Sequence, residues 1–424
     1  MRQYRIQGGN TRIFGELKVG GAKNAVLPII AAMCLNESES VIHNCPRIAD
    51  TFVSLEILDC MGYKTEFVGN TLKVGASTGL DCNIPDECIN KMRSSILFMG
   101  AMLARCGKID IALPGGCELG NRAIDLHISG LRAMGANIHL ENGKLYCTAD
   151  KLKGTKISLH TASVGATENL MIAAVKAEGE TIIENAAREP EIVDLARFLK
   201  GIGAKIRGEG TSTIIISGVE HLHQFKPHHI MPDRIVAGTY LVAAAITGGE
   251  LTLTDTNPID MLPIITPLAK MDCEIRIRDN SISLSAPPRL QPLPHLMTKI
   301  HPGFPTDMQP QFVAALTIAE GQSIVTETIF DKRHQHAYEL NKMGAEISLS
   351  PDNQVFTING VNRLCGTTVA AKDLRGGAAL ILAALAAEGE TIVQNAEYVE
   401  RGYEHIEKDL CKLGADITFE TEEN

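Results

Sequence analysis

The chain has 424 residues, 45% of them apolar, and 40 Lys and Arg against 50 Asp and Glu give a formal net charge of −10. That length exceeds what one hydrophobic core usually supports, so two domains are the expectation. The acidic balance, with no basic stripe interleaved with aromatics, excludes a general nucleic-acid binder, and any anionic ligand must meet a local cluster of cations.

The N-terminus, Met1-Arg-Gln-Tyr-Arg-Ile-Gln, has no apolar signal core, and no apolar run reaches bilayer length. The 11 cysteines form an odd count without a paired framework. These features predict a soluble, reduced, cytoplasmic protein with no membrane partner. The other cysteines are expected mostly in apolar surroundings, unlike Cys117.

In chain order, the first predicted element is a strand, Phe14-Gly-Glu-Leu-Lys-Val, ahead of an alanine-rich apolar run at 25–35. Similar runs recur at 96–106, 170–178, 241–248, 312–320 and 379–388, each reading as a buried helix. A short β-rich segment follows each run, for example Glu180-Thr-Ile-Ile-Glu-Asn or Glu390-Thr-Ile-Val-Gln-Asn. A second, amphipathic helix then ends at a repeated signature: Met61-Gly-Tyr-Lys, Met134-Gly-Ala-Asn, Ile202-Gly-Ala-Lys, Met271-Asp-Cys-Glu, Met343-Gly-Ala-Glu and Leu413-Gly-Ala-Asp. The signature returns about every 70 residues, the mark of a structural repeat. Glycine at its second position fits a left-handed C-cap. One or two strands close each unit.

The fold class is therefore α/β, with six βαβαββ units. The sixth unit stops at Asn424 without its last strand, so the termini are expected to meet. Three units per lobe place one domain at 22–231 and a discontinuous second at 1–21 plus 232–424. No Pro/Ser-rich tether separates them, which favours a hinge of paired strands.

Polar residues interrupt the apolar pattern at two recurrent places. One is the start of each first helix: Gly20-Gly-Ala-Lys23-Asn24, Lys91-Met-Arg93-Ser94-Ser95, Ser163-Val164-Gly-Ala-Thr167, Pro232-Asp233-Arg234, Pro305-Thr306-Asp307 and Asp373-Leu-Arg375-Gly376. Helix N-termini suit phosphate or carboxylate ligands, although Thr306 and Asp373 are equally candidates for plain N-caps. The other place is the connection into the second helix. There lie Asp331-Lys332-Arg333, Arg401, and Leu113-Pro-Gly-Gly-Cys-Glu-Leu-Gly-Asn-Arg122 with Asp125 and His127 beyond it. Glycines around Cys117 allow the loop to move, and a nearby cation favours its thiolate. Arg188-Glu189-Pro-Glu191, in contrast, reads as a local ion-pair network. Equivalent connections fall on one rim, so Cys117, Arg122, Arg333 and Arg401 are expected to face one cleft that takes a polyanionic substrate.

Other chemistries find little support. There is no P-loop match, and Gly201-Ile-Gly203 follows a helix rather than a strand. His221-x-His223 and His334-x-His336 lack a further ligand at metal spacing, so neither metal nor cofactor is expected.

Taken together, Gly21-Ala-Lys-Asn24, Met92-Arg93, the stretch 113–127, Ser163-Val-Gly-Ala-Thr167, Asn185-Ala-Ala-Arg-Glu-Pro-Glu-Ile-Val-Asp194, Pro232-Asp-Arg234, Phe304-Pro-Thr-Asp307, Asp373-Leu-Arg375 and Arg401-Gly-Tyr403 resemble the enolpyruvyl transferases over the whole chain. The resemblance is strongest to the branch acting on UDP-N-acetylglucosamine. It implies a two-lobed inside-out α/β barrel and transfer of the enolpyruvyl group of phosphoenolpyruvate to the sugar 3′-hydroxyl, committing it to peptidoglycan synthesis. On this resemblance Cys117 is the proton donor and Asp307 the base. Lys23, Arg122 and Arg401 neutralise phosphoenolpyruvate, with Arg333 and Arg375 assisting. Sugar-nucleotide contacts carry over to Asn24, Arg93, Arg122, Ala123, Ile124, Asp125, Leu126, Ser163, Val164, Asp307 and Ile329. His127 matches a histidine near the diphosphate, and packing is an equal explanation of it.

The chain departs from the family at Thr161-Ala162, where a basic residue often precedes the serine, and at Val236, where glutamate is common. Two alternatives stay open: the branch acting on shikimate 3-phosphate, and a non-catalytic sugar-nucleotide-binding regulator of cell-wall synthesis. The first lacks a cysteine like Cys117, and the second would be marked by a lost catalytic residue.

Overall fold

Alternating apolar residues build short strands and unbroken apolar runs build helices in the computed structural model, which describes residues 2–77, 81, 84, 92–112 and 124–421, position 93 by backbone alone. Four sheets share one strand order. They are His228–His229, Ser40–His43, Thr71–Val74, Thr65–Val68; Lys156–Ser158, Glu180–Glu184, Thr213–Ser217, Lys205–Arg207; Phe14–Lys18, Glu250–Thr254, Ser281–Ser285, Glu274–Arg278; and Leu296–Met297, Gln322–Thr326, Val355–Asn359, Glu346–Leu349. In each the first two strands are parallel and the remaining pairs antiparallel. A further sheet, Lys108–Ala112, Lys144–Thr148, Asn137–Glu141, has three strands among the described residues.

The remaining sheet joins the chain ends. Arg2–Gly8 lies between Gly389–Gln394 and Asp416–Thr421, antiparallel to both, with Thr368–Ala370 outside Gly389–Gln394. Tyr4 stands opposite Val393 and Phe419 and is fully buried. The strand missing after the last helix is thus Arg2–Gly8. The strand Phe14–Lys18, which the sequence reading sets ahead of the first helix within the segment 1–21, joins a different sheet. Phe14–Lys18 pairs with Glu250–Thr254, Leu17 opposite Leu253, and the strand beside Ser40–His43 is His228–His229. Alternation tells a strand which face to bury but not which edge to join.

The chain divides into two compact units, one holding the described residues from 21 to 231, the other 2–20 and 232–421. Each has its own apolar core. In the first, helices Lys23–Met33, Leu97–Cys106 and Val164–Ala174 pack against one another and are buried almost all round, as their uniformly apolar surfaces require. Gly100 permits this closeness: a Cβ there would stand 2.3 Å from Asn169 Oδ1. In the second, Arg234–Ile246, Gln309–Leu316 and Leu374–Ala386 do the same. The amphipathic helices lie outside these, with polar faces exposed. Among the described residues no helix is long and apolar enough to cross a membrane.

The helix-end signature has a backbone cause. Gly62, Gly135, Gly203, Gly344 and Gly414 all take positive φ, from 88° to 109°, and Asp272 takes φ 71° in the unit without the glycine. Beyond Gly344 the Ala345 N–H returns to Leu340 O at 3.2 Å, closing the helix. A Cβ on Gly344 would meet nothing within 4 Å, so Gly344→Ala isolates the backbone penalty. We expect it to destabilise the fold by about 1 kcal/mol in urea unfolding. An unchanged midpoint would rule out left-handed strain as the reason for the repeated glycine.

Candidate active site

In the unit holding residues 232–421, Asp307 sits in the short turn Thr306–Met308 that leads into the helix Gln309–Leu316. Each of its oxygens meets a different guanidinium: Arg333 Nη1 donates to Oδ1 at 2.8 Å and Arg375 Nη2 to Oδ2 at 3.1 Å. The arginine side chains are each 3% exposed and Asp307 is 23% exposed. Burial disfavours the Arg375 cation, and the charge of Asp307 together with Tyr403 more than reverses this, holding its pKa above the usual value. Arg375 lies 5.8 Å from the centre of the Tyr403 ring, and Arg333 lies 4.7 Å from that of Phe330. The Tyr403 hydroxyl bonds Thr239 at 2.8 Å and accepts from Gln311 Nε2 at 3.5 Å.

Arg375 is set by its helix start. Asp373 caps Leu374–Ala386 by accepting from the Arg375 and Gly376 N–H groups, both at 3.0 Å. Asp233 caps Arg234–Ile246 in the same way. Of the two residues open to a capping role, Asp373 caps and Thr306 does not. The Thr306 hydroxyl donates to Glu327 Oε2 at 2.8 Å and accepts from Arg333 Nη1 at 2.9 Å.

Among the described residues Arg333 Nε and Arg375 Nη1 are buried and have no hydrogen-bond partner, and the same holds for both ring nitrogens of His336. His336 stacks on Phe356 with ring centres 5.6 Å apart, and burial pushes its imidazole down to about 4, so it is neutral at pH 7. Buried N–H donors left over beside a bound carboxylate suit an anionic ligand group. Ile329 is 37% exposed and its N–H bonds Glu327 Oε1 at 2.8 Å. Arg401, half-buried, ends the helix Glu397–Glu400 two residues before Tyr403.

In the other unit Lys23 opens the helix Lys23–Met33, and its Nζ stands 2.7 Å from Asp50 Oδ2, with side chains 11% and 4% exposed. Asn24 beside it is half-buried. Ser163 is the N-cap of Val164–Ala174, accepting from Ala166 N–H at 3.3 Å, and Val164 is half-buried. Asp125 opens Asp125–Ala133 on the exposed side, Leu126 is core, and Ile124 packs on the core's edge. Asn169 fixes His127. Its Oδ1 accepts from Gly100 N–H and its amide donates to Ile96 O, so His127 Nδ1 accepts at 2.9 Å. Cys117, Arg122 and Ala123 lie outside the described residues, and Arg93 is placed only by its backbone in the turn Arg93–Ile96.

Two readings shift, and one residue was missed. Arg188 is exposed and joins no ion pair among the described residues, so Arg188 itself takes no part there in the network its alternating charges suggest. Glu191 instead turns inward with Glu168, whose carboxyl is pushed well up by burial and then by Glu191 and Glu189. Of the described cysteines, Cys60, Cys106, Cys365 and Cys411 are exposed, so apolar surroundings do not set Cys117 apart. Glu327 went unmarked: a buried glutamate in Thr326-Glu327-Thr328 has no distinguishing local pattern.

A family model for EPSP synthase (3-phosphoshikimate 1-carboxyvinyltransferase) matches residues 8–410. UDP-N-acetylglucosamine 1-carboxyvinyltransferase 2 of Caldanaerobacter subterraneus subsp. tengcongensis is 49% identical over 98% of this chain and 99% of its own length. UDP-N-acetylglucosamine 1-carboxyvinyltransferase 1 of Symbiobacterium thermophilum is 46% identical over 98% of this chain and 95% of its own. The solved enolpyruvyl transferase NikO of Streptomyces tendae superposes with a TM-score of 0.89 at 25% identity, covering 99% of this chain and 98% of that one. EPSP synthase of Acinetobacter baumannii shares the fold at a TM-score of 0.75 and 21% identity, over 99% of this chain and 100% of that one. Likeness over essentially the whole length, in sequence and in fold, makes this chain a member of the EPSP synthase family of enolpyruvyl transferases.

Proposed function

We propose that this enzyme transfers the enolpyruvyl group of phosphoenolpyruvate to the 3′-hydroxyl of UDP-N-acetylglucosamine, releases phosphate, and so begins peptidoglycan synthesis in the cytoplasm. The observation that carries the reading is 49% identity over 98% of the chain to a relative named for that activity. The site chemistry agrees with it. Asp307 accepts from two guanidiniums and is partly exposed, and its carboxyl is of the type able to take the proton of the sugar hydroxyl.

Cys117 takes the role of acid, giving a proton to the methylene carbon while the sugar oxygen adds to the neighbouring carbon. Protonation makes that carbon a methyl group, and the tetrahedral product then loses phosphate while the Cys117 thiolate takes back one methyl proton, which reforms the double bond as the enol ether of the sugar. Lys23, Arg122, Arg333, Arg375 and Arg401 hold the phosphate and carboxylate charges, which spread during addition. Asn24, Arg93, Ala123, Ile124, Asp125, Leu126, Ser163, Val164 and Ile329 are assigned to the sugar nucleotide. We read the fold as two lobes of three βαβαββ units, 22–231 and 1–21 plus 232–424, each an inside-out α/β barrel. The shared strand order and the mutually packed apolar helices support that reading.

The test is phosphate release from phosphoenolpyruvate with UDP-N-acetylglucosamine, with shikimate 3-phosphate, or with neither. Release is expected with the sugar nucleotide alone, and Cys117→Ala should slow it by about 10²- to 10⁴-fold. Release with shikimate 3-phosphate alone would move the chain to the neighbouring branch. Sugar-nucleotide binding without any release would favour a regulator.

A further inference from the structure

We infer that Glu327 is a positioning residue for this transfer, holding Thr306, and through it Arg333 and Asp307, in a single hydrogen-bonded arrangement. The inference rests on the transfer reading above. Glu327 follows the strand Gln322–Thr326 and is 1% exposed. Its Oε1 accepts from Thr298 Oγ1 at 3.0 Å, Ile329 N–H at 2.8 Å and Phe330 N–H at 3.2 Å, and its Oε2 accepts from Thr306 Oγ1 at 2.8 Å. Every one of these contacts is a donor to it, so its oxygens serve as acceptors throughout.

That sets the direction of the remaining bonds. The Thr306 hydroxyl has one proton and gives it to Glu327, leaving a lone pair for Arg333 Nη1 at 2.9 Å. The second N–H of the same nitrogen reaches Asp307 Oδ1 at 2.8 Å. Meanwhile the bonds to Ile329 and Phe330 shape the turn that brings the Phe330 ring against the Arg333 guanidinium. Glu327 touches neither Arg333 nor Asp307 in any of these bonds, and acts on them through Thr306 and Phe330.

Glu327→Gln puts an NH₂ where an acceptor stood. It faces either the Ile329 and Phe330 donors or Thr306, whose proton must then turn toward Arg333. Thr306→Val removes the relay, whereas Thr306→Ser keeps its hydroxyl. We expect kcat for phosphate release to fall roughly 10- to 100-fold in both Glu327→Gln and Thr306→Val. The double variant should fall no further than the worse single one, and Thr306→Ser should keep most of the parent's kcat. Losses that multiply in the double variant, or a Thr306→Val enzyme with the parent's kcat, overturn the inference. If Glu327→Gln does not fold, the contrast of Val with Ser at position 306 decides alone. If the parent releases no phosphate with either acceptor, the transfer reading fails separately. The arrangement is then judged by the Asp307 carboxyl signal in protein labelled with ¹³C-aspartate, assigned with Asp307→Asn. Thr306→Val should move that signal, Thr306→Ser should not, and an unmoved signal in Thr306→Val counts against the arrangement.

Discussion

Asp307→Asn is expected to cost both catalysis and stability, because one carboxylate serves two buried cations. The substitution keeps the shape and removes the charge. As the proposed base, its loss should lower kcat/KM for the sugar nucleotide by about 10²- to 10⁴-fold. Arg333 and Arg375, each 3% exposed, would keep their charges with no anion between them. Breaking a buried ion pair costs about 3 to 5 kcal/mol, and the 23% exposure of Asp307 argues for the lower end. Urea unfolding checks the second part. Asp307→Asn combined with Arg375→Met should regain part of that stability, because one of the two uncompensated charges is gone, and should remain inactive. A stable but slow Asp307→Asn enzyme would mean that the guanidiniums find other anions. A fast one would remove Asp307 from the mechanism.

Lys23→Met is expected to show the same coupling in the other unit. Lys23 Nζ and Asp50 Oδ2 are 2.7 Å apart, with side chains 11% and 4% exposed, so the ammonium is held where solvent compensates little. In its proposed role, removing it takes a cation from the transition state, worth about 10²- to 10³-fold in kcat/KM by analogy with a lost oxyanion donor. It also removes the ammonium that stands 2.7 Å from the buried Asp50 carboxylate, at a cost of up to about 3 kcal/mol. Adding Asp50→Asn should restore the unfolding midpoint without restoring phosphate release. Recovery of activity in that double variant would make Lys23 a structural partner of Asp50 and nothing more.

The site was legible where residue type breaks a local pattern. Arg375 and Asp307 interrupt apolar helix starts, and Arg333 opens a helix connection, so each can be singled out before their meeting is seen. Their convergence on one carboxylate is tertiary: the three come from separate segments, and no spacing rule joins 307, 333 and 375. Glu327 escaped notice because nothing in its neighbours announces burial. At Arg188 the alternating charge suggests pairing, yet its side chain is exposed and joins no ion pair among the described residues.

Local physics explains which features the sequence by itself determined. Apolar runs longer than a strand become buried helices, alternation makes short strands, and glycine recurs where a helix must end left-handed, with Asp272 meeting the same need at φ 71°. These depend on neighbours a few residues apart. Only the tertiary structure decided that Arg2–Gly8 completes the last sheet, that Phe14–Lys18 joins Glu250–Thr254, and that His228–His229 joins Ser40–His43. A strand's pattern specifies the face it buries, whereas its partner is chosen by whichever edge the folded chain leaves open.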